Sequence, residues 1–263
     1  MAGGRGCRRG LNALGRIAAV VALALLLAVR AASALDEIVL TSGDWPPYYS
    51  PELAFGGAAN QVVAESFALA GIHASFVFVP WRRALEMART GKAQGSAGWM
   101  RMADRERDFL FSDPLFESVR VFFHRKDTPF DWSCLDDVRD LRVAVTLGSA
   151  EEFQLEEVLS RGEGGLDIAK DYASGMKKLL LGRVDVYACN LAVGRFVLDH
   201  RVGPGASAII HHPRPIFSET NHLLLDRNLV GAEELMARFN EGLRKLRENG
   251  RYDVIFRDIS GPR

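Results

Sequence analysis

The chain has three cysteines in 263 residues, and neither a Cys-x-x-Cys nor a His-x-x-x-His spacing. That excludes a disulfide-dense small domain and the usual zinc-ligand patterns. Beyond residue 29 there is no apolar run long enough to span a bilayer. There is no block of basic residues, which argues against nucleic acid or an anionic membrane surface as partner. A nucleophile elbow and a phosphate-binding glycine loop are both missing, and no cofactor or metal is implied.

What is present begins with a leader. Arg5, Arg8, Arg9 and Arg16 precede an unbroken apolar run from Ile17 to Val29, and Ala32-Ser33-Ala34 is a small-x-small cleavage site. That order predicts a secretory signal peptide over residues 1–34, cleaved after Ala34, and an exported chain with no membrane insertion of its mature part. The five arginines of the leader leave 28 basic and 33 acidic residues in the remaining 229, a balance of −5. Cys134 and Cys189 remain after cleavage, and an oxidising compartment permits a bond between them without requiring one.

The mature part alternates strand and helix. Glu37 to Thr41 reads as a strand running into the aromatic loop Trp45-Pro46-Pro47-Tyr48-Tyr49. Those rings either wall a pocket or pack on the protein itself, and the residues leave both open. A helix over Asn60–Ala70, a strand at Phe76–Val79, a helix from Trp81 and a strand at Gln94–Trp99 follow. The plan then recurs: strands at Val119–His124, Arg142–Thr146 and Val184–Ala188, a helix after Gly148-Ser149-Ala150, and another capped by Ser174. A strand at His222–Leu225, an amphipathic helix over Glu233–Glu248 and a helical turn at Tyr252–Phe256 complete the chain. His211-His212 is placed in a Pro-rich loop. Leu85…Gly91-Lys92-Ala93-Gln94 mirrors Leu180…Gly182-Arg183-Val184-Asp185, so the economical reading is two α/β lobes on one plan, each a parallel sheet covered on both faces.

Arg101 to Pro114 concentrates the chemistry. Arg101, Arg105 and Arg107 precede Phe111-Ser112-Asp113-Pro114, and a guanidinium fork can grip a carboxylate in bidentate fashion. Asp104, Glu106 and Asp108 interleave with them, so a solvated, self-paired helix face is the competing reading.

Taken in order, several pieces make the chain resemble the periplasmic solute-binding proteins of family 3, the polar amino-acid type. They are Pro47-Tyr48, Arg105 six residues before Phe111-Ser112-Asp113-Pro114, and Val143-x-Val145-x-x-Gly148-Ser149. Gly182-Arg183-Val184-Asp185 and Leu246-x-x-Asn249-Gly250-x-Tyr252 follow. The resemblance implies a type II periplasmic-binding-protein-like α/β fold. Lobe one would comprise 35–121 and 223–263, lobe two 122–222, with hinges at Val119–His124 and His222–Leu225. It implies a monomer in the periplasm that closes on a small polar solute and passes it to an ABC transporter permease. Arg105 would take the solute's carboxylate, and Ser149 with the Ala150 amide would hold it from the other lobe at a helix start. Trp45, Tyr48 and Trp99 would line the site. Asn190 stands where relatives carry an acid for an ammonium group, and Gln94 replaces a common, more structural Asp, so the solute's identity stays open. Two alternatives share the fold. One is an acid-catalysing enzyme resembling cyclohexadienyl dehydratases, for which Asp44 and Glu219 are the nominated acids. The other is a sensing domain that presents solute to a membrane receptor.

Overall fold

The computed structural model describes residues 37–260, so the expected leader and its cleavage site lie outside the described residues. The first lobe opens with β1 (Glu37–Ser42), α1 (Ala58–Ala68), β2 (His73–Phe78), α2 (Trp81–Arg89) and β3 (Gly95–Met100). The short α3 (Ala103–Glu106) and β4 (Phe109–Phe111) lead to the long β5 (Phe116–Arg125). The second lobe holds β6 (Arg142–Thr146), α4 (Ala150–Leu159), β7 (Gly165–Ala169), α5 (Tyr172–Leu180), β8 (Val186–Asn190), α6 (Leu191–Val197) and β9 (Ile209–His211). The chain returns through β10 (Phe217–Asp226), α7 (Ala232–Glu248) and α8 (Arg251–Ser260).

The strands form a continuous path, β2-β1-β3-β10-β5-β8-β6-β7, with β4 on β10 and β9 on β5. Within each lobe the crossover strands are parallel, as β-α-β units require. The two long strands that join the lobes run antiparallel to their neighbours. β5 pairs with β10 through Phe116–Arg120, then leaves it to pair with β8 through Arg120–His124. β10 does the converse, leaving β5 at Asn221 to pair with β3 and β4.

Helices cover both faces of each sheet. In lobe one, Ile38 and Leu40 pack with Val63, Phe67, Phe239 and Leu243 of α1 and α7, while Ala84 and Ala88 of α2 meet Trp99 and Leu224 on the opposite face. In lobe two the alternation of a strand divides β5: Phe122 joins Trp132, Val143 and Leu155, whereas Val121 and Phe123 join the cluster holding Met176 and Val193. The mirrored segments do the same work in both lobes. Gln94 Oε1 accepts the Val39 amide at 2.8 Å, and Asp185 Oδ2 accepts the Arg142 amide at 2.9 Å, each tying two strands together.

Several local expectations need correction. α5 is capped by Asp171, not Ser174: Asp171 accepts the Ser174 amide at 2.7 Å, and Ser174 is the third helical residue, closing a reciprocal capping box. The strand expected at Val184–Ala188 lies at Val186–Asn190, because Asp185 is held at the turn by Arg142. His211 ends β9 instead of sitting in a loop. The arginine-rich stretch is not one solvated helix; it yields four helical residues and then β4. Cys134 is exposed and Cys189 buried, both as free thiols.

α7 packs against α1 at Gly242, where an added Cβ would lie 2.0 Å from the Ser66 carbonyl oxygen. Backbone cannot yield as a side-chain tip can. Gly242→Ala is therefore expected to cost about 1–3 kcal/mol, read as a lower Tm by calorimetry with native far-UV circular dichroism.

Candidate functional site

Between the lobes lies a cleft of about 390 Å³, which Trp45, Trp81, Trp99 and Arg105 line from lobe one. Thr146, Ser149, Ala150, Glu151 and Tyr172 line it from lobe two, and Arg120, Glu219 and Asn221 from the joining strands. Its mouth widens into a second hollow of about 960 Å³ edged by Met102, Phe153 and Phe217.

The aromatic wall is built on close approach. Trp81 stands edge-on to Trp99, ring centroids 5.4 Å apart, and edge-on to Tyr49 at 5.8 Å. Gly98, at φ +96°, permits this: a Cβ there would lie 2.9 Å from both Trp81 and Tyr49. The Trp99 indole donates to Ser96 Oγ at 2.7 Å, which fixes the ring. Arg105 then lies over the Trp99 face at 4.9 Å and donates through Nη1 to the Met100 carbonyl at 2.8 Å. Its Nε is buried with no acceptor among the described residues. Burial pulls the guanidinium below its ordinary pKa, with Asp104 partly opposing, yet an arginine stays cationic at any pH a folded protein meets.

Toward the joining strands sits a buried ion cluster. Arg120 Nε lies 3.0 Å from Glu151 Oε1, its Nη2 pairs with Glu219, and its Nη1 donates to Ser118 Oγ at 3.1 Å. Trp45 covers the guanidinium at 5.3 Å. Burial raises the Glu151 carboxyl above the ordinary glutamate value and Glu219 adds to the rise, while Arg120, the Glu151 amide and the Ser149 hydroxyl oppose it.

The structure brings Arg105, Trp45, Trp99, Ser149 and Ala150 together on the cleft. It does not bring Tyr48 or Asn190 to that lining. Tyr48 is buried behind the cleft, stacked on Phe116 at 4.3 Å, and desolvation pushes its hydroxyl up to about 12. Asn190 is buried and caps α6, accepting the Val193 amide at 3.0 Å. Of the two nominated acids, Glu219 joins the ion cluster and Asp44 is an exposed residue at the rim. The helix start is also not an open cradle. The Gly148 amide donates to the Glu152 carboxylate and the Glu152 amide to Ser149 Oγ at 3.3 Å, so two of the tip's donors are already taken. Sequence reasoning missed Arg120, Glu151, Trp81 and Tyr172. The available signal was an arginine inside the apolar strand Val119–His124, since a charge on a buried strand needs a partner.

Among the described residues no helix is long and apolar enough to cross a membrane. No curated protein matches the chain. Solved structures share its fold at low identity. A histidine kinase sensor domain with similarity to periplasmic binding proteins is 22% identical, with a TM-score of 0.68 over 86% of this chain and 96% of that one. An amino-acid ABC transporter substrate-binding protein from Streptococcus pneumoniae, bound to L-arginine, is 17% identical, with a TM-score of 0.66 over 85% and 94%. The ancestral amino-acid-binding protein AncCDT-1, a precursor of cyclohexadienyl dehydratase, is 19% identical, with a TM-score of 0.65 over 84% and 94%. The family model for bacterial extracellular solute-binding proteins, family 3, matches residues 38–261, nearly the whole two-lobed body that frames the cleft, and the chain belongs to that family.

Proposed function

We propose that the protein captures a small polar, carboxylate-bearing solute of amino-acid type by hinge closure. It then delivers that solute, as a periplasmic monomer, to the permease of an ABC importer in the inner membrane. The moving bodies are residues 35–121 with 223–263, and residues 122–222, turning on β5 and β10. One observation carries the reading: Arg105 of the first lobe and Ser149 with Ala150 of the second line a single cleft. A solute gripped from both sides binds the closed state better than the open one, and that difference in affinity drives closure. The arginine-bound Streptococcus pneumoniae relative supports an amino-acid ligand. The sensor-domain relative supports a variant in which the solute is presented to a membrane receptor.

A second reading has one specific observation in its favour. Glu151 is a buried acid with a raised pKa on the cleft, as acid catalysis requires. Arg120 at 3.0 Å favours its ionised form, which suits binding better than proton donation. Absence of turnover with prephenate and arogenate removes the catalytic reading.

The binding reading is tested by a thermal-shift panel of amino acids, dicarboxylates, opines and amines on the mature protein. A solute at a hundred times its Kd stabilises by about 2.7 kcal/mol, a rise in Tm of roughly 5–10 °C for a body of this size. Silence across the panel overturns it.

A further inference from the structure

The second lobe meets the cleft with acids. Glu151 and Glu219 converge on the single guanidinium of Arg120, all three on the cleft lining, so the cluster holds one more acid than base. Arg120 and Glu151 are 5% and 2% exposed, so water does little to screen that excess. The helix tip beside it holds more negative charge, since the Glu152 carboxylate already takes the Gly148 amide. Trp45 already stacks on the Arg120 cation, and Tyr172 lines the cleft from the second lobe. Arg105, at the other end of the cleft, makes no ion pair with an acid among the described residues, whereas Arg120, whose Nε likewise lacks a hydrogen-bond acceptor, makes two. The cleft is therefore polarised: anion-seeking at Arg105, cation-seeking at Glu151 and Glu219.

We propose that Glu151 and Glu219 receive a protonated nitrogen of the solute, doing by charge what the neutral, cap-bound Asn190 does not, while Arg105 receives the solute's carboxylate. The solute is then a zwitterion with its ammonium or guanidinium toward the joining strands. This rests on the cleft being the solute site. It also reassigns the second lobe's part in binding, from holding the carboxylate to holding the opposite charge.

The test uses titration calorimetry with matched probes on the mature protein. The probes are amino acids, the same acids with hydrogen or hydroxyl in place of the amine, and dicarboxylates of similar length. The proteins are the wild type, Glu151→Gln and Glu219→Gln. Both substitutions keep shape, and circular dichroism with a melting curve checks that each variant folds. An amino acid is expected to bind the wild type about 10- to 100-fold tighter than its amine-free counterpart. Either glutamine substitution is expected to remove most of that preference, leaving amine-free binding within about threefold. Amine-free acids or dicarboxylates binding as tightly as the zwitterion overturn this inference while leaving solute binding intact. So does an amino-acid affinity that neither variant changes. Silence of the wild type to every probe overturns the binding reading, and this inference with it.

Discussion

Arg120→Met is expected to destabilise the protein by about 3–5 kcal/mol, because it strands two carboxylates that one guanidinium now serves. The side chain is buried, ion-paired with Glu151 and Glu219, hydrogen-bonded to Ser118 and packed against Trp45 and Phe217. Methionine retains much of the packing, so the loss reports charge. The loss depends on pH in a definite direction. Glu151 already sits above the ordinary glutamate pKa through burial, with Arg120 the largest opposing influence. Without Arg120 it moves higher, so the folded variant holds a proton that the unfolded chain has released. Stability of the variant then falls as pH rises from the unfolded glutamate value through the folded one, and the gap from wild type narrows below the unfolded value. Urea melts at several pH values measure this. Adding Glu151→Gln and Glu219→Gln to Arg120→Met is expected to restore most of the stability. A loss under about 1 kcal/mol, or one flat with pH, sinks the account of the cluster.

Arg105→Ala is expected to weaken any carboxylate-bearing solute by a hundredfold or more, about 3–5 kcal/mol, while changing the stability of the empty protein little. The asymmetry follows from what Arg105 touches. It makes a hydrogen bond to Met100 and a face contact with Trp99, and burial opposes its charge. Alanine relieves the burial penalty as it removes those contacts. Arg105→Lys is not expected to rescue binding, since an ammonium cannot reproduce the paired donors of a guanidinium. Calorimetry of a carboxylic solute against its amide distinguishes the outcomes. An affinity within about threefold of wild type in Arg105→Ala removes the residue from the site.

The fold was readable where local pattern and tertiary role agree. Arg142–Thr146 was located to the residue, and the helix expected over Glu233–Glu248 is Ala232–Glu248, because an apolar stripe or run is itself the burial signal. Where the role depends on distant partners, the reading failed. Gly165–Ala169 is a strand only because Arg142–Thr146 lies beside it. Leu191–Val197 is a helix whose cap, Asn190, looked like a ligand contact. The site divides in the same way. The family resemblance pointed to Arg105, and that residue does line the cleft. Glu151 looked like an ordinary first-turn helix acid, and its meaning comes from a strand arginine thirty-one positions earlier. Nothing local to Glu151 distinguishes it from Glu152.

Arg120 is the residue at which β5 exchanges its partner, opposite Phe217 on β10 and Asn190 on β8. On the closure proposed above, the ion cluster would sit at the fulcrum of the clamshell, with Met102 and Phe153 out along the second hollow. A small adjustment around the guanidinium would then be magnified on its way to those lips, giving a solute that engages the cluster leverage out of proportion to its size.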